Sequence, residues 1–247
     1  MTHARIIGGI GAIAMNWSHV KENVEEVRER MATAARRAGR RPEEITMIAV
    51  AKTHPAEAIR AAYEAGVRHF GENRVQEWEG KCAGVADLKA TWHLIGHLQS
   101  NKAGRAAKLF DSVDSVDSVK LGERLARARA EEGVAEKLRA VVEVHLGGEE
   151  TKSGVDVGEV TAVAQGIAKL PQLELQGLMC IPPLVEPEQV RRYFQQLREV
   201  RDAVQRECGL QLPVLSMGMS HDFEAAIEEG STEVRVGTAI FGLRGKA

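Results

Sequence analysis

The sequence predicts an α/β fold, a single (β/α)8 TIM-type barrel with one additional helix in front of it. Short apolar runs alternate with longer helical patterns along the chain, and strands regularly separated by helices form parallel βαβ units. Eight such runs fit within 247 residues, a length that favours a closed parallel barrel over an open doubly wound sheet. No linker-like or low-complexity stretch divides them, so residues 15–247 read as one domain.

The leading helix follows from Val20, Val24, Val27, Met31, Ala34 and Ala35, which recur at helical spacing and give one apolar stripe. Gly39 ends it. Residues 46–51 form the first strand, and Pro55 opens the helical pattern at 56–65. Strands follow at 67–71 and 91–95, with a helical pattern at 74–84 between them. The pattern at 100–108 leads to a strand at 109–113, and that at 118–132 to a strand at 139–146. Helix 157–170 precedes strand 173–181, helix 188–208 precedes strand 213–217, and helix 220–229 precedes strand 233–236.

Residues 1–14 stand apart. Arg5 precedes a glycine-rich apolar run, and Ala12-Ile13-Ala14 mimics a signal-peptidase site. The run is too short to span a bilayer and contains no leucine. It reads as a disordered or start-site extension, with translation beginning at Met15.

Composition narrows the function. Apolar residues make up 44% and charged residues 28%, ordinary for a globular protein with a substantial core. A formal net charge of -2 provides no field to attract nucleic acid or an acidic membrane. Cys82, Cys180 and Cys208 are widely spaced, with no CxxC pair. That pattern fits a reducing, cytoplasmic compartment and neither a disulfide framework nor a zinc site.

Two regions carry chemistry. Lys52 ends the first strand, just before Thr53-His54-Pro55. A partly desolvated lysine at such a strand end can attack a carbonyl and form a Schiff base, although the pattern alone also suits a solvated charge. Near the other end, Leu215-Ser-Met-Gly-Met-Ser220 places Ser220 at the N-cap of the next helix. Gly237 and Thr238 follow the last strand, where glycine lets backbone approach an anion and Thr238 adds an N–H and a hydroxyl. Each segment alone is equally a helix cap or a turn. Barrels commonly bind phosphate with the loops after strands seven and eight. Together with Lys52 these loops point to a phosphorylated carbonyl compound, of which pyridoxal 5′-phosphate (PLP) is the obvious cofactor.

The same residues carry a resemblance. Ala49-Val-Ala-Lys-Thr53, Phe70-Gly-Glu-Asn-Arg-Val-Gln-Glu77, Trp92-His-Leu-Ile-Gly-His-Leu-Gln-Ser-Asn-Lys102, Lys152-Ser-Gly154, Gly177-Leu-Met-Cys-Ile-Pro182, Leu215-Ser-Met-Gly-Met-Ser220 and Val234-Arg-Val-Gly-Thr-Ala-Ile-Phe-Gly242 run in order along the chain. From about Met15 onward it resembles the pyridoxal phosphate homeostasis protein family. The resemblance implies a fold like the barrel domain of alanine racemase, PLP held as a lysine aldimine, and a role in vitamin B6 and amino-acid homeostasis. It implies that Lys52 forms the aldimine and that Ser220, Gly237 and Thr238 hold the phosphate. Arg235 is then expected against the pyridine nitrogen, and Asn73 near the ring or its hydroxyl. This chain departs from the commonest patterns at His145-Leu-Gly-Gly148 and at His221, which touches the rim of such a site.

A binding role is expected over turnover. A guanidinium beside the pyridine nitrogen disfavours a protonated ring, and an unprotonated ring is a weaker electron sink. Racemisation also needs a group on each face of the substrate. Tyr63 and Tyr193 both fall within helical patterns, away from strand ends, leaving Cys180 or His145 as substitutes. The expected protein is a cytoplasmic monomer or weak dimer that buffers PLP or delivers it to PLP-dependent apoenzymes. A low-activity PLP-dependent racemase or lyase is the alternative, and a cofactor-free Schiff-base aldolase a more distant one.

Other residues invite simpler readings. His93 and His97 have the spacing of a helical metal pair, but on a strand they stand about 13 Å apart, too far to share an ion. His93 is therefore expected to hydrogen-bond in the interior. Glu143 and His145 share one strand face, which a barrel turns inward, for a structural or functional purpose alike. Arg36, Arg37, Arg40 and Arg41 read as a solvated helix end.

Overall fold

The computed structural model describes residues 17–147, 153–183 and 185–242. The expected extension at 1–14 lies outside them, as do Gly148 and Lys152 of the motifs above.

Helix α1 (His19–Arg37) buries the stripe read from its sequence, Val20 through Ala35. The chain then alternates: β1 (Thr46–Val50), α2 (Ala56–Glu64), β2 (His69–Glu72), α3 (Val75–Glu79), β3 (Thr91–Leu94), α4 (Ala103–Leu109), β4 (Ser112–Val116), α5 (Val119–Glu131), β5 (Leu138–His145), β6 (Val155–Asp156), α6 (Val160–Ala168), β7 (Leu173–Met179), α7 (Pro187–Cys208), β8 (Val214–Met219), α8 (Phe223–Glu228), β9 (Glu233–Val236) and α9 (Thr238–Phe241). The strands hydrogen-bond in the order β4-β3-β2-β1-β9-β8-β7-β5, and a β4–β5 pairing closes the ring. Every pairing is parallel. The eight-stranded barrel is thus present, with α1 added. The two-residue β6 was not expected from the sequence; it pairs only with β5, through Val144↔Val155 and His145↔Asp156.

The fourth strand departs most from expectation. Leu109 ends α4, and the strand runs from Ser112 to Val116, three residues beyond the expected start at 109. The apolar pair Leu109-Phe110 imitates a strand, whereas the real one carries Ser112, Asp114 and Ser115, all fully buried. Residues 74–84 also divide, into α3 and a 3-10 turn at Cys82–Val85.

Those polar residues belong to a network inside the barrel. His93 Nδ1 lies 2.9 Å from Asp114 Oδ2, and His93 Nε2 lies 3.0 Å from His69 Nδ1. Ser112 Oγ donates to Asp114 Oδ1 at 2.5 Å. Arg139 approaches Glu233 Oε1 at 3.5 Å. His93 is therefore the interior hydrogen-bonding residue expected, while the His97 side chain is 53% exposed at the rim.

Arg36 and Arg41 around the end of α1 are exposed, as expected of a solvated helix end, whereas Arg37 and Arg40 also reach α8 and the turn after it. Arg40 donates to the carbonyls of Ile227 and Ser231 at 3.0 and 2.7 Å, and Arg37 pairs with Glu228 at 2.7 Å. At the other end of the helix, Asn23 Nδ2 donates to the Ile240 carbonyl of α9 at 2.8 Å. The extra helix thus braces the last two helices, α8 and α9, against the barrel.

Candidate functional site at the C-terminal mouth of the barrel

A cleft of about 370 Å³ opens where the strands end, the face on which barrel enzymes keep their chemistry. Lys52, Asn73, Ser220, Arg235, Gly237 and Thr238 all line it. The structure brings together every residue expected at the site. A hollow of about 460 Å³ at the opposite face, beside Met31, Met47 and His69, lies away from these strand ends.

Lys52 is half-buried in the turn that follows β1. The turn closes with His54 N–H donating to the Ala51 carbonyl at 3.1 Å. Its third residue, Thr53, has φ 66, the only positive φ outside glycine among the described residues. Asn73 follows β2 at the neighbouring strand end. A Cβ on Gly96 would stand 2.4 Å from the Asn73 carbonyl, so glycine there lets the loops after β2 and β3 touch.

Ser220 does a different job from the one expected. α8 begins at Phe223, and Asp222, not Ser220, holds its N-cap position. Asp222 Oδ1 instead accepts from Met219 N at 2.6 Å, shaping the turn. The Ser220 hydroxyl accepts from the backbone N–H groups of Gly237 and Ala239, each at 3.3 Å. It thus joins the loops after β8 and β9 and marks where their N–H groups point. A Cβ on Gly237 would crowd the Val50 carbonyl at 3.3 Å, so glycine there lets the start of the last loop lie close to β1.

Arg235 is buried in the cleft floor. Its guanidinium donates to Ser216 Oγ and to the Cys180 carbonyl, both at 2.8 Å. Burial pulls its pKa below the ordinary arginine value, opposed by the field of Cys180, Asp114, Glu143 and Asp222. Beside it, Glu143 is only 5% exposed. One Glu143 oxygen accepts from Ser153 Oγ at 3.0 Å, while the other has no donor within the described residues. Burial holds this carboxyl above its usual range despite that bond and the nearby Arg235. A buried acid with an unsatisfied oxygen is the kind of group that shares a hydrogen bond with a bound molecule. Of the further lining residues, the sequence reading weighed Glu143, marked His221 as a departure, and included Ser153 within the Lys152-Ser-Gly154 block without giving it a role.

Neither of the two substitutes expected from the sequence serves as a second base here, although His97, His221 and Glu143 line the cleft. Cys180 is fully buried, its thiol pushed up to about 12 chiefly by desolvation, and it offers the floor only its carbonyl. His145 lies 3.5 Å from Asp156 and is not among the residues lining the cleft. Tyr63 and Tyr193 sit on α2 and α7, as expected. The cleft thus offers the Lys52 amine, backbone N–H groups of Gly237 and Ala239 gathered on the Ser220 hydroxyl, and a buried guanidinium, with His97, His221 and Glu143 around them. That donor set fits a small molecule bearing a carbonyl and a phosphate.

Comparison with known proteins agrees. The family model for the alanine racemase N-terminal domain matches residues 15–245. A pyridoxal phosphate homeostasis protein of Aquifex aeolicus is 43% identical over 90% of this chain and 97% of its own. One of Pseudomonas aeruginosa is 44% identical, over 92% and 96%. The structure of PipY from Synechococcus elongatus with PLP bound superposes with TM-score 0.80 at 41% identity, covering 90% of this chain and all of that one. A Clostridium difficile alanine racemase shares the fold, with TM-score 0.71 at 16% identity, over 95% of this chain and 61% of its own. By these matches the chain belongs to the alanine racemase N-terminal domain family and, within it, to the pyridoxal phosphate homeostasis proteins.

Proposed function

We propose that this protein binds PLP in the cleft, holds it covalently on Lys52, and serves cytoplasmic PLP and amino-acid homeostasis by storing the reactive aldehyde and delivering it to PLP-dependent apoenzymes. The observation that carries this reading is the meeting, in one cleft, of a strand-end amine with the N–H groups gathered on Ser220. A 41% identical relative, PipY, was solved with PLP bound.

When bound, PLP supplies an aldehyde for the amine and an aromatic ring that can withdraw electrons. Ser220, Gly237 and Thr238 hold its phosphate with backbone and hydroxyl donors. Arg235, tied to Ser216 and Cys180, cannot accept a proton and keeps the ring nitrogen unprotonated. Asn73 borders the ring from the side of β2. Holding the ring in its weaker electronic state suits storage better than turnover. The protein works as a monomer or weak dimer. The alternative, a low-activity amino-acid racemase or lyase, would have to recruit His97, His221 or Glu143 from the cleft lining, since neither Cys180 nor His145 is placed to serve.

The absorption spectrum of the purified protein with PLP, followed by borohydride reduction and peptide mapping by mass, tests the reading. A yellow protein with its pyridoxyl group on Lys52 is the expected result. A protein left colourless by PLP, or labelled only elsewhere, overturns it. Sustained turnover of an amino acid that is lost in Lys52→Ala would favour the enzyme.

A further inference from the structure

We infer that Lys81 is a positioning residue: its ammonium ties down both ends of the turn that presents Lys52 to the cleft. The inference rests on the reading of Lys52 as the cofactor lysine. Lys81 follows α3 and reaches beneath the turn, with a side chain only 10% exposed. Its Nζ donates to the Ala51 carbonyl at 2.9 Å and to the His54 carbonyl at 3.0 Å, the residues on either side of Lys52-Thr53. It also bonds Glu77 Oε1 at 3.1 Å and pairs with the buried Glu72 carboxylate at 2.7 Å. Glu77 closes the circuit, since the same Oε1 accepts the Thr53 backbone N–H.

The turn calls for such a restraint. Thr53 is β-branched and sits at φ 66, a left-handed conformation that disfavours branched side chains. Left alone it would relax, and a relaxed turn re-aims Lys52. The hydrogen bond from His54 to Ala51 spans the turn, and the Ala51 N–H donates to the Gly71 carbonyl at 2.9 Å, which ties its first residue to β2. Lys81 and Glu77 add an anchor at both ends from α3 and the residues after it, with charged groups that make stronger hydrogen bonds than neutral ones. Lys81 does not line the cleft, so it acts through the turn and not on the bound molecule. A lysine ammonium offers three N–H donors around one atom, enough for the Ala51 and His54 carbonyls and one carboxylate, with the second carboxylate attracted by charge.

The test compares the full-length protein with Lys81→Met, and with the milder Glu77→Gln in case the first does not fold. Two measurements are made at a temperature where both are folded. One is the rate at which PLP becomes borohydride-trapped on Lys52; the other is hydrogen exchange at the Thr53 and His54 amides. Lys81→Met is expected to slow trapping by about tenfold or more, as misplacement of a reacting group does, and to speed exchange at both amides. Glu77→Gln should shift both in the same direction by less. In a Lys52→Ala background, Lys81→Met should change non-covalent PLP affinity by no more than about twofold, because the phosphate donors are untouched. Wild-type trapping rates in both variants overturn the inference, as does slowed trapping without faster exchange, or a large affinity loss in the Lys52→Ala background. If the wild-type protein itself traps no PLP on Lys52, the reading of the cleft fails, and the exchange measurement alone decides whether Lys81 holds the turn.

Discussion

Arg235 donates to the hydroxyl of Ser216 at 2.8 Å, one strand away on β8, so the guanidinium that floors the cleft is fixed before any ligand arrives. Its other nitrogen is fixed on the Cys180 carbonyl, and the whole side chain is buried. Removing it strands two acceptors and the nearby Glu143 and Glu233 carboxyls. Arg235→Met is therefore expected to lower unfolding free energy by about 3 kcal/mol, the scale of losing charged hydrogen bonds in an interior. Urea denaturation checks this, and an unchanged midpoint would show that the floor does not depend on the arginine.

Ser220 holds the N–H groups of Gly237 and Ala239 on one oxygen. Ser220→Ala loses that acceptor and, on the proposed reading, a hydroxyl that meets the phosphate. PLP affinity, measured by titration in a Lys52→Ala background, should fall about tenfold, equivalent to about 1.4 kcal/mol. Equal affinities would place the phosphate elsewhere in the cleft.

The His69–His93 pair makes stability depend on acidity. Burial, with a lesser contribution from His93, pushes His69 down to about 4. Burial also opposes charge on His93, but Asp114 outweighs it and raises that ring. Between about pH 6.5 and pH 4 the unfolded chain protonates His69 while the folded chain does not. Stability from this group is therefore full above its unfolded pKa and is lost as pH falls through that window. His69→Gln should make the decline in melting temperature over this range shallower than in the wild type. Parallel curves would assign the decline to other groups.

Cys180 should be chemically silent. Its thiol is buried and pushed up to about 12, whereas Cys82 and Cys208 are half-buried. Thiolate is the reactive form, so iodoacetamide should modify Cys82 and Cys208 well before Cys180 in the native protein. Early labelling of Cys180, read by peptide mass, would contradict the packing of the cleft floor.

Much of this molecule was legible because its physics is local. The stripe from Val20 to Ala35 is a helix period, and Thr46 to Val50 is a buried run with a turn behind it. Lys52, Gly237 and Thr238 announce themselves by standing just past strand ends. β4 hid because its inner face is polar: Ser112, Asp114 and Ser115 are satisfied by neighbours that a linear reading cannot see. Ser220 was found by a local rule and put to use by a distant loop, since its partners lie 17 and 19 residues further on. Lys81 gave no sequence signal, because its meaning lies in two carbonyls of another loop.

The bond from Asn23 to Ile240 joins residues 217 positions apart. On the ribosome α1 thus waits through more than two hundred residues for α9, and closing so long a loop is entropically slow. Until Gly237 and its neighbours leave the exit tunnel, β1 has no β9 to pair with and the Ser220 hydroxyl has no N–H groups to receive. On the proposed reading, a nascent chain therefore displays its amine long before it owns a phosphate cradle, and synthesis order itself delays tight capture of an anionic aldehyde until the barrel has closed.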